Sequence, residues 1–263
     1  MSELVRVERN DAAGIVRLVF NRPDVLNALD VLLAEAFRDA VKDVARAGGV
    51  RAVIIAAEGR AFVAGGDVAA FGADFTRSAE MVNALLDALH PALLRLRAID
   101  APVIAAVKGV AAGAGLSLVL NADLVIAEEG TRFVVAYDKV GSSPDCGGTW
   151  FLPRKVGRAR AAELMFLGEA LDAGQALAAG IVNRVVAAGE LSAATDEIAA
   201  RVASGPTRAF GQFKRLTDHA LERPLAEHLE AERAAFLAGT RTADFREGVT
   251  AFLTKRKPDF AGE

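Results

Sequence analysis

A mostly parallel α/β core followed by a helical region is the fold this sequence predicts, and three observations predict it. Continuous apolar runs recur at VRAVIIAAE, APVIAAVKG and ADLVIAEE, and runs of that kind belong to strands covered on both faces. Segments with helical spacing separate them, and strands alternating with helices imply parallel pairing. After Val186 the strand signal stops and the chain becomes rich in Ala, Glu and Arg.

The elements follow in order. LVRVE and GIVRLVF, separated by NDAAG, form a hairpin signal. NRPDVLNALD breaks that pattern. Residues 31–47 then place Leu33, Phe37, Ala40, Val41 and Val44 on one helical stripe, which Gly48-Gly49 end. VRAVIIAAE is a buried strand, 78–97 a helix, APVIAAVKG a strand, 115–120 a short helix and ADLVIAEE a further strand. No exact repeat is visible, but a strand–strand–helix rhythm recurs. From Leu191 the chain is helical, with breaks at Gly205-Pro206, Pro224 and Gly239. We therefore divide it into a core, 1–205, and a helical region, 206–263. The apolar residues of that region, among them Leu216, Leu221, Leu225, Leu229, Phe236, Phe245 and Phe252, are too few for a core of their own. They are expected to pack on the first region or on another subunit.

Composition excludes several classes. The 34 acidic and 31 basic residues are interspersed and the net charge is -3, so no basic face for nucleic acid is expected. The single cysteine, Cys146, cannot form an internal disulfide and reads as a small buried hydrophobe. The N-terminal stretch MSELVRVERN is charged, and the longest apolar run, 101–107, is too short to span a bilayer. A cytoplasmic protein with no membrane partner is expected. His219 and His228 read as solvated or interface residues of the helical region, and no metal-ligand spacing is present.

Two glycine-rich loops carry the first functional signal. RAFVAGGDV, 60–68, follows one buried strand; GVAAGAGLSL, 109–118, follows another and opens a helix. Glycine at such turns lets backbone approach a ligand and turns its N–H groups outward. Tight turns alone would also account for them. A dinucleotide site does not fit, because Leu118 stands at the third glycine position. The remaining reading is an oxyanion hole, with one backbone N–H from each loop stabilising an enolate by about 3 kcal/mol per donor.

Together, RAFVAGGDV, PVIAAVKGVAAGAGLSL, the AD of NADLVIA and SPDCGGTWFLPRKVGRARA resemble the crotonase superfamily, the enoyl-CoA hydratases and isomerases. The similarity runs from the NRP at Asn21 to the EGVTAFLTKRKPDF tail. The resemblance implies a spiral of ββα units with a C-terminal helical trimerisation region, an acyl-CoA substrate with no separate cofactor, and a trimer or dimer of trimers. It assigns the oxyanion donors to Gly66 and Ala114, the second often glycine in the family. It places Ala64, Gly65, Asp67, Val68 and Gly113 around the substrate, with 64–68 also lining the CoA adenine pocket. It sends Phe252 and Lys255 toward the CoA of a neighbouring subunit.

The same resemblance sets the chemistry. Hydratases of the family carry two glutamates, where this chain has Ser117 and Tyr137. Those hydroxyls are not bases near neutral pH, so efficient hydration is not expected. An isomerase needs one carboxylate, and Asp145 matches it; Tyr137 is expected to shape the acyl pocket. The motif PDxGGTWFLPRxVGRARA most resembles isomerases that open a ring 1,2-epoxide of phenylacetyl-CoA and also shift double bonds of 3-enoyl-CoAs. Ser142 and Ser143 stand where that group tends to carry aliphatic residues. Asp145 could instead cap the helix starting near Gly147; a cap is exposed, whereas a catalytic carboxylate sits in a pocket. Two alternatives remain: a dehalogenase-like reaction with Asp145 as nucleophile and His90 as base, and a non-catalytic CoA-thioester binder. In that second case an exposed, salt-bridged Asp145 is expected.

Overall fold

The structure, a computed structural model, describes residues 3–263; the first two residues of the charged N-terminal stretch lie outside the described residues. Strands β1 (Val5–Asn10) and β2 (Ile15–Phe20) form the antiparallel hairpin read from their alternation. Helix α1 (Val31–Arg46) begins where the Asp30 carboxylate accepts from Leu33 N–H at 2.8 Å, satisfying one otherwise unpaired donor of the first turn. Then follow β3 (Ala52–Ala57), α2 (Val68–Ala73), α3 (Ser78–Ala98), β4 (Val103–Val107), β5 (Val110–Ala112) and α4 (Ala114–Asn121). The remainder of the core runs through β6 (Leu124–Glu128), β7 (Arg132–Val134), α5 (Tyr137–Val140), α6 (Gly148–Val156), α7 (Arg158–Leu167), β8 (Ala170–Asp172), α8 (Ala173–Ala178), β9 (Arg184–Val186) and α9 (Leu191–Ala203).

The six-stranded sheet has the order β1-β2-β3-β4-β6-β9, parallel from β2 onward. Side chains alternate across a strand, and here the alternation divides two apolar layers. Val53, Ile55, Val103 and Ala105 pack with residues of α1, α3 and α4, while Ala52, Ile54, Ile104 and Ala106 pack with Leu191, Ala194 and Ala199 of α9. Both faces are therefore covered, which is why these strands read as unbroken apolar runs.

A second sheet, β5-β7-β8, was not legible in the sequence. Its strands are three residues each, too short for any period to show. It discloses the repeat: in β4–β5–α4 and in β6–β7–α5 the first strand joins the large sheet and the second the small one. The chain thus winds as a spiral of ββα units.

The helical region comprises α10 (Thr207–His219), α11 (Leu225–Gly239) and α12 (Ala243–Leu253). Helix α10 is tied to the core by charge. Buried Lys214 donates to the carbonyls of Leu96 (3.0 Å) and Ala101 (3.1 Å) and pairs with Asp123 at 3.0 Å, and Arg97 bridges Asp123 (2.7 Å) to Asp218 (2.6 Å). Beyond it, α11 buries no residue. An apolar groove of about 1140 Å³ lies among the three helices, lined by Phe213, Leu216, Leu229, Phe236, Phe245 and Phe252.

Candidate active site

The two glycine loops meet backbone to backbone. Gly65 has φ +100 and Gly113 φ +51, conformations that side chains rarely permit. A Cβ built on Gly113 would lie 3.7 Å from the Gly65 Cα, and one on Gly65 would lie 3.3 Å from the Ala112 carbonyl oxygen. Three sets of hydrogen bonds hold this approach. Ala112 N–H donates to Val63 O at 3.0 Å, Leu29 N–H to Gly65 O at 2.8 Å, and Gly113 N–H to Val134 O at 3.0 Å. Among the described residues neither Gly66 N–H nor Ala114 N–H donates to a protein acceptor. Ala114 is the first residue of α4, so its N–H carries the positive end of the helix dipole. Gly115, the next residue, sits against the Val63 carbonyl, which a Cβ would meet at 2.1 Å.

Asp145 does not cap α6. The cap position is Gly147, at φ +79, and no side chain bonds the first turn. Cys146 at φ +50 and Gly147 together turn the chain through two left-handed residues, and the half-buried Asp145 carboxylate instead accepts a hydrogen bond from the Tyr137 hydroxyl at 2.5 Å. Its carbonyl oxygen accepts from Ser117 Oγ at 3.0 Å and from Gly148 N–H at 2.8 Å. Among the described residues it forms no salt bridge.

Tyr137 is only 8% exposed. Burial pushes its hydroxyl pKa up, and the adjacent Asp145 charge adds to the rise, so it stays a neutral donor. The Cys146 thiol is buried and pushed up in the same way, first by burial and then by Asp145, which makes it the inert hydrophobe expected from the sequence. Next to this pair lies a mainly apolar cavity of about 240 Å³, lined by Gly113, Leu116, Ser117, Leu120, Val135, Tyr137, Pro144, Gly148 and Leu152, and closed by Ala161, Ala162 and Met165 of α7. The α7 contribution carries no sequence signal, because its residues look like ordinary core.

Ala64 and Gly65 lie within the first loop, and Asp67 caps α2 by accepting from Ala70 N–H at 3.2 Å. Asp67 is also held by Arg22 at 3.3 Å, and Arg22 pairs with Asp30 at 3.0 Å; Arg22 was not anticipated. Val68 is exposed beside them. His90 is exposed. With Asn83, Asp87 and Leu94 it forms the solvent stripe of α3, while Leu85, Leu89, Leu93 and Leu96 face the core. The 100° advance per residue that buries Leu89 turns its successor outward, and among the described residues His90 forms no hydrogen bond or ion pair with Asp145. Phe252 is 83% exposed in the C-terminal groove, and Lys255 is exposed just beyond α12; neither bonds the glycine loops of its own chain.

Residues 10–263 match the family model described as enoyl-CoA hydratase/isomerase. The chain belongs to that family. It is 39% identical over 251 residues to the 1,2-epoxyphenylacetyl-CoA isomerase of Escherichia coli (strain K12), covering 95% of this chain and 96% of that protein. It is 34% identical to the trans-2-decenoyl-[acyl-carrier-protein] isomerase of Streptococcus mutans, with 95% of each covered. Among solved structures, an enoyl-CoA hydratase from Polaromonas sp. JS666 superposes with a TM-score of 0.91 at 33% identity, covering 97% of this chain and 99% of that one. The family acts on acyl-CoA thioesters, and its members carry both hydratase and isomerase names. Among the described residues no helix is long and apolar enough to cross a membrane.

Proposed function

We propose that this chain is an acyl-CoA isomerase in which Asp145 moves one proton within the acyl group of a bound thioester. The thioester oxygen sits between the N–H groups of Gly66 and Ala114. An Asp145 oxygen takes a proton from the α-carbon of a 3-enoyl thioester; the C–H electron pair flows toward the thioester oxygen, giving a dienolate that the two N–H groups stabilise. Asp145 then returns the same proton to the γ-carbon, leaving the double bond conjugated with the thioester. No atom is gained or lost. Opening a ring epoxide of phenylacetyl-CoA to an oxepin is likewise an isomerisation, and it is the physiological reaction we favour.

The observation that carries this reading is the state of Asp145. It is half-buried, free of salt bridges and bonded to Tyr137 and Ser117, which line an apolar cavity and place hydroxyls rather than carboxylates at positions 137 and 117. Hydration needs a second acid or base that this site lacks. The isomerase names of two relatives support the same choice. The dehalogenase-like alternative needs His90 as base, and among the described residues His90 is exposed and unbonded to Asp145; the binder alternative expected an exposed, ion-paired Asp145.

We further propose that the groove among α10, α11 and α12 is covered by a second copy of the chain in a trimer or dimer of trimers, with Phe252 and Lys255 reaching a neighbour's CoA. Apolar exposure on this scale supports it: Phe213 is 67%, Leu225 73% and Phe236 68% exposed. A cytoplasmic setting completes the reading.

The test follows the 2-enoyl thioester absorbance after 3-hexenoyl-CoA is mixed with wild type and with Asp145→Asn. Wild type should form conjugated product and the variant should lose at least about a hundredfold. Equal rates would end the proton-shuttle reading.

A further inference from the structure

Asp145 is held at two ends by two hydroxyls from different parts of the fold. Ser117, in the first turns of α4, donates to its carbonyl oxygen at 3.0 Å, and Tyr137, which opens α5, donates to one carboxylate oxygen at 2.5 Å. Among the described residues the second carboxylate oxygen accepts no hydrogen bond from a nitrogen or hydroxyl. We infer that Ser117 and Tyr137 are positioning residues, a clamp that orients Asp145 so that only its second oxygen exchanges a proton with substrate. The inference rests on the isomerase reading for its catalytic consequence, but not for the clamp itself.

The surrounding backbone is shaped for this contact. Ala136 adopts φ +65, a left-handed conformation that a non-glycine residue enters only when its surroundings impose it. It delivers Tyr137 into the buried site, with the ring beside Gly113. A Cβ on Gly148 would meet Ser117 Oγ at 2.8 Å, so the glycine leaves that hydroxyl room to point at the Asp145 carbonyl. The tyrosine also cannot act as a base, because burial and Asp145 keep it a phenol. What it contributes is orientation. An α-proton and a γ-proton lie on different atoms of the substrate, and a carboxylate that must reach both in turn gains from having one oxygen fixed and the other free.

Tyr137 is the only tyrosine in the chain, so its ionisation can be followed directly. Phenolate absorbance should be followed during alkaline titration of wild type and Asp145→Asn, with circular dichroism recording the fold at each pH. The clamp predicts that wild type shows no phenolate until the fold is lost, and that Asp145→Asn shows it at lower pH. Titration of native wild type near pH ~10, the range of an unperturbed tyrosine, overturns the clamp. In parallel, Tyr137→Phe should lower kcat for 3-hexenoyl-CoA about 10-fold to 100-fold while KM changes less than about twofold. A rise in KM with kcat unchanged overturns the positioning role and leaves Tyr137 as a wall of the acyl pocket. If Asp145→Asn shows phenolate at lower pH than wild type but retains the full isomerase rate, the clamp stands and the proton-shuttle reading fails; if the two titrate alike, burial alone holds the phenol and the clamp fails.

Discussion

Replacing Gly115 with alanine probes the two-loop pocket mechanically. The added Cβ would stand 2.1 Å from the Val63 carbonyl oxygen, 2.8 Å from the Val63 Cβ and 2.9 Å from its carbonyl carbon. Carbon–oxygen contacts are comfortable near ~3.3 Å, so backbone must retreat by about 1 Å, and no flexible side chain can absorb the shift. Val63 O is also the acceptor for Ala112 N–H. The retreat therefore strains the bond that holds the Gly65–Gly66 turn against Gly113–Ala114. Overpacking of this kind costs about 1–3 kcal/mol, and the strained hydrogen bond about 1 kcal/mol more. Displacing one oxyanion donor typically lowers kcat about 10²–10³-fold. We expect a folded protein with a lower Tm and a kcat for 3-hexenoyl-CoA down by about 100-fold, measured by calorimetry and by the conjugated-thioester absorbance. Gly72→Ala is the control: it lies within α2, and its Cβ would meet only the Phe75 ring at 3.9 Å, so activity should be unchanged. Wild-type kcat and Tm in Gly115→Ala would refute the close approach of the loops.

Other consequences can be checked together. Lys214→Met leaves the Leu96 and Ala101 carbonyls without their donor inside the protein; because Arg97 still neutralises Asp123, we expect about 2–3 kcal/mol of lost stability by denaturant titration. Lys155 is half-buried and its pKa is lowered, first by burial and then by the charge of Arg97. Lys155→Met should therefore raise Tm by about 2–4 °C in calorimetry. Glu247 accepts from Arg256 and from Asp259 N–H, and its pKa is lowered to about 2. A depressed carboxylate contributes above its unfolded pKa of ~4.3 and ceases to do so as pH falls through about 2. The protection of the Asp259 amide, its intrinsic exchange rate divided by the observed one, should fall across that window and stay flat from pH ~5 to 7.

Much of the core could be read from the chain because its sheet is covered twice. Ala52 to Ala57 sends alternate residues to opposite apolar layers, so hydrophobicity is continuous and the strand is conspicuous. The small sheet stayed hidden because a three-residue strand such as Arg132–Val134 has no period to detect. The glycine loops were visible as loops, but their meeting depends on the long-range Val63–Ala111 and Leu29–Gly66 bridges, which no local pattern encodes. Asp145 was ambiguous for a similar reason. An aspartate just before a helix ordinarily caps it; here the left-handed conformations of Cys146 and Gly147 turn it toward Tyr137, and a left-handed cysteine has no signature in sequence. The leucines around His90 disguise which side of α3 it occupies.

The central claim is that one carboxylate carries one proton from the α-carbon to the γ-carbon. The most direct measurement is single turnover of 3-hexenoyl-CoA deuterated at the α-carbon, with the product analysed by mass spectrometry and NMR for label at the γ-carbon. The account predicts 2-hexenoyl-CoA with a measurable share of the deuterium at the γ-carbon, and no such transfer in Asp145→Asn. A hydrated 3-hydroxyacyl product, or the same label transfer in both proteins, would contradict it.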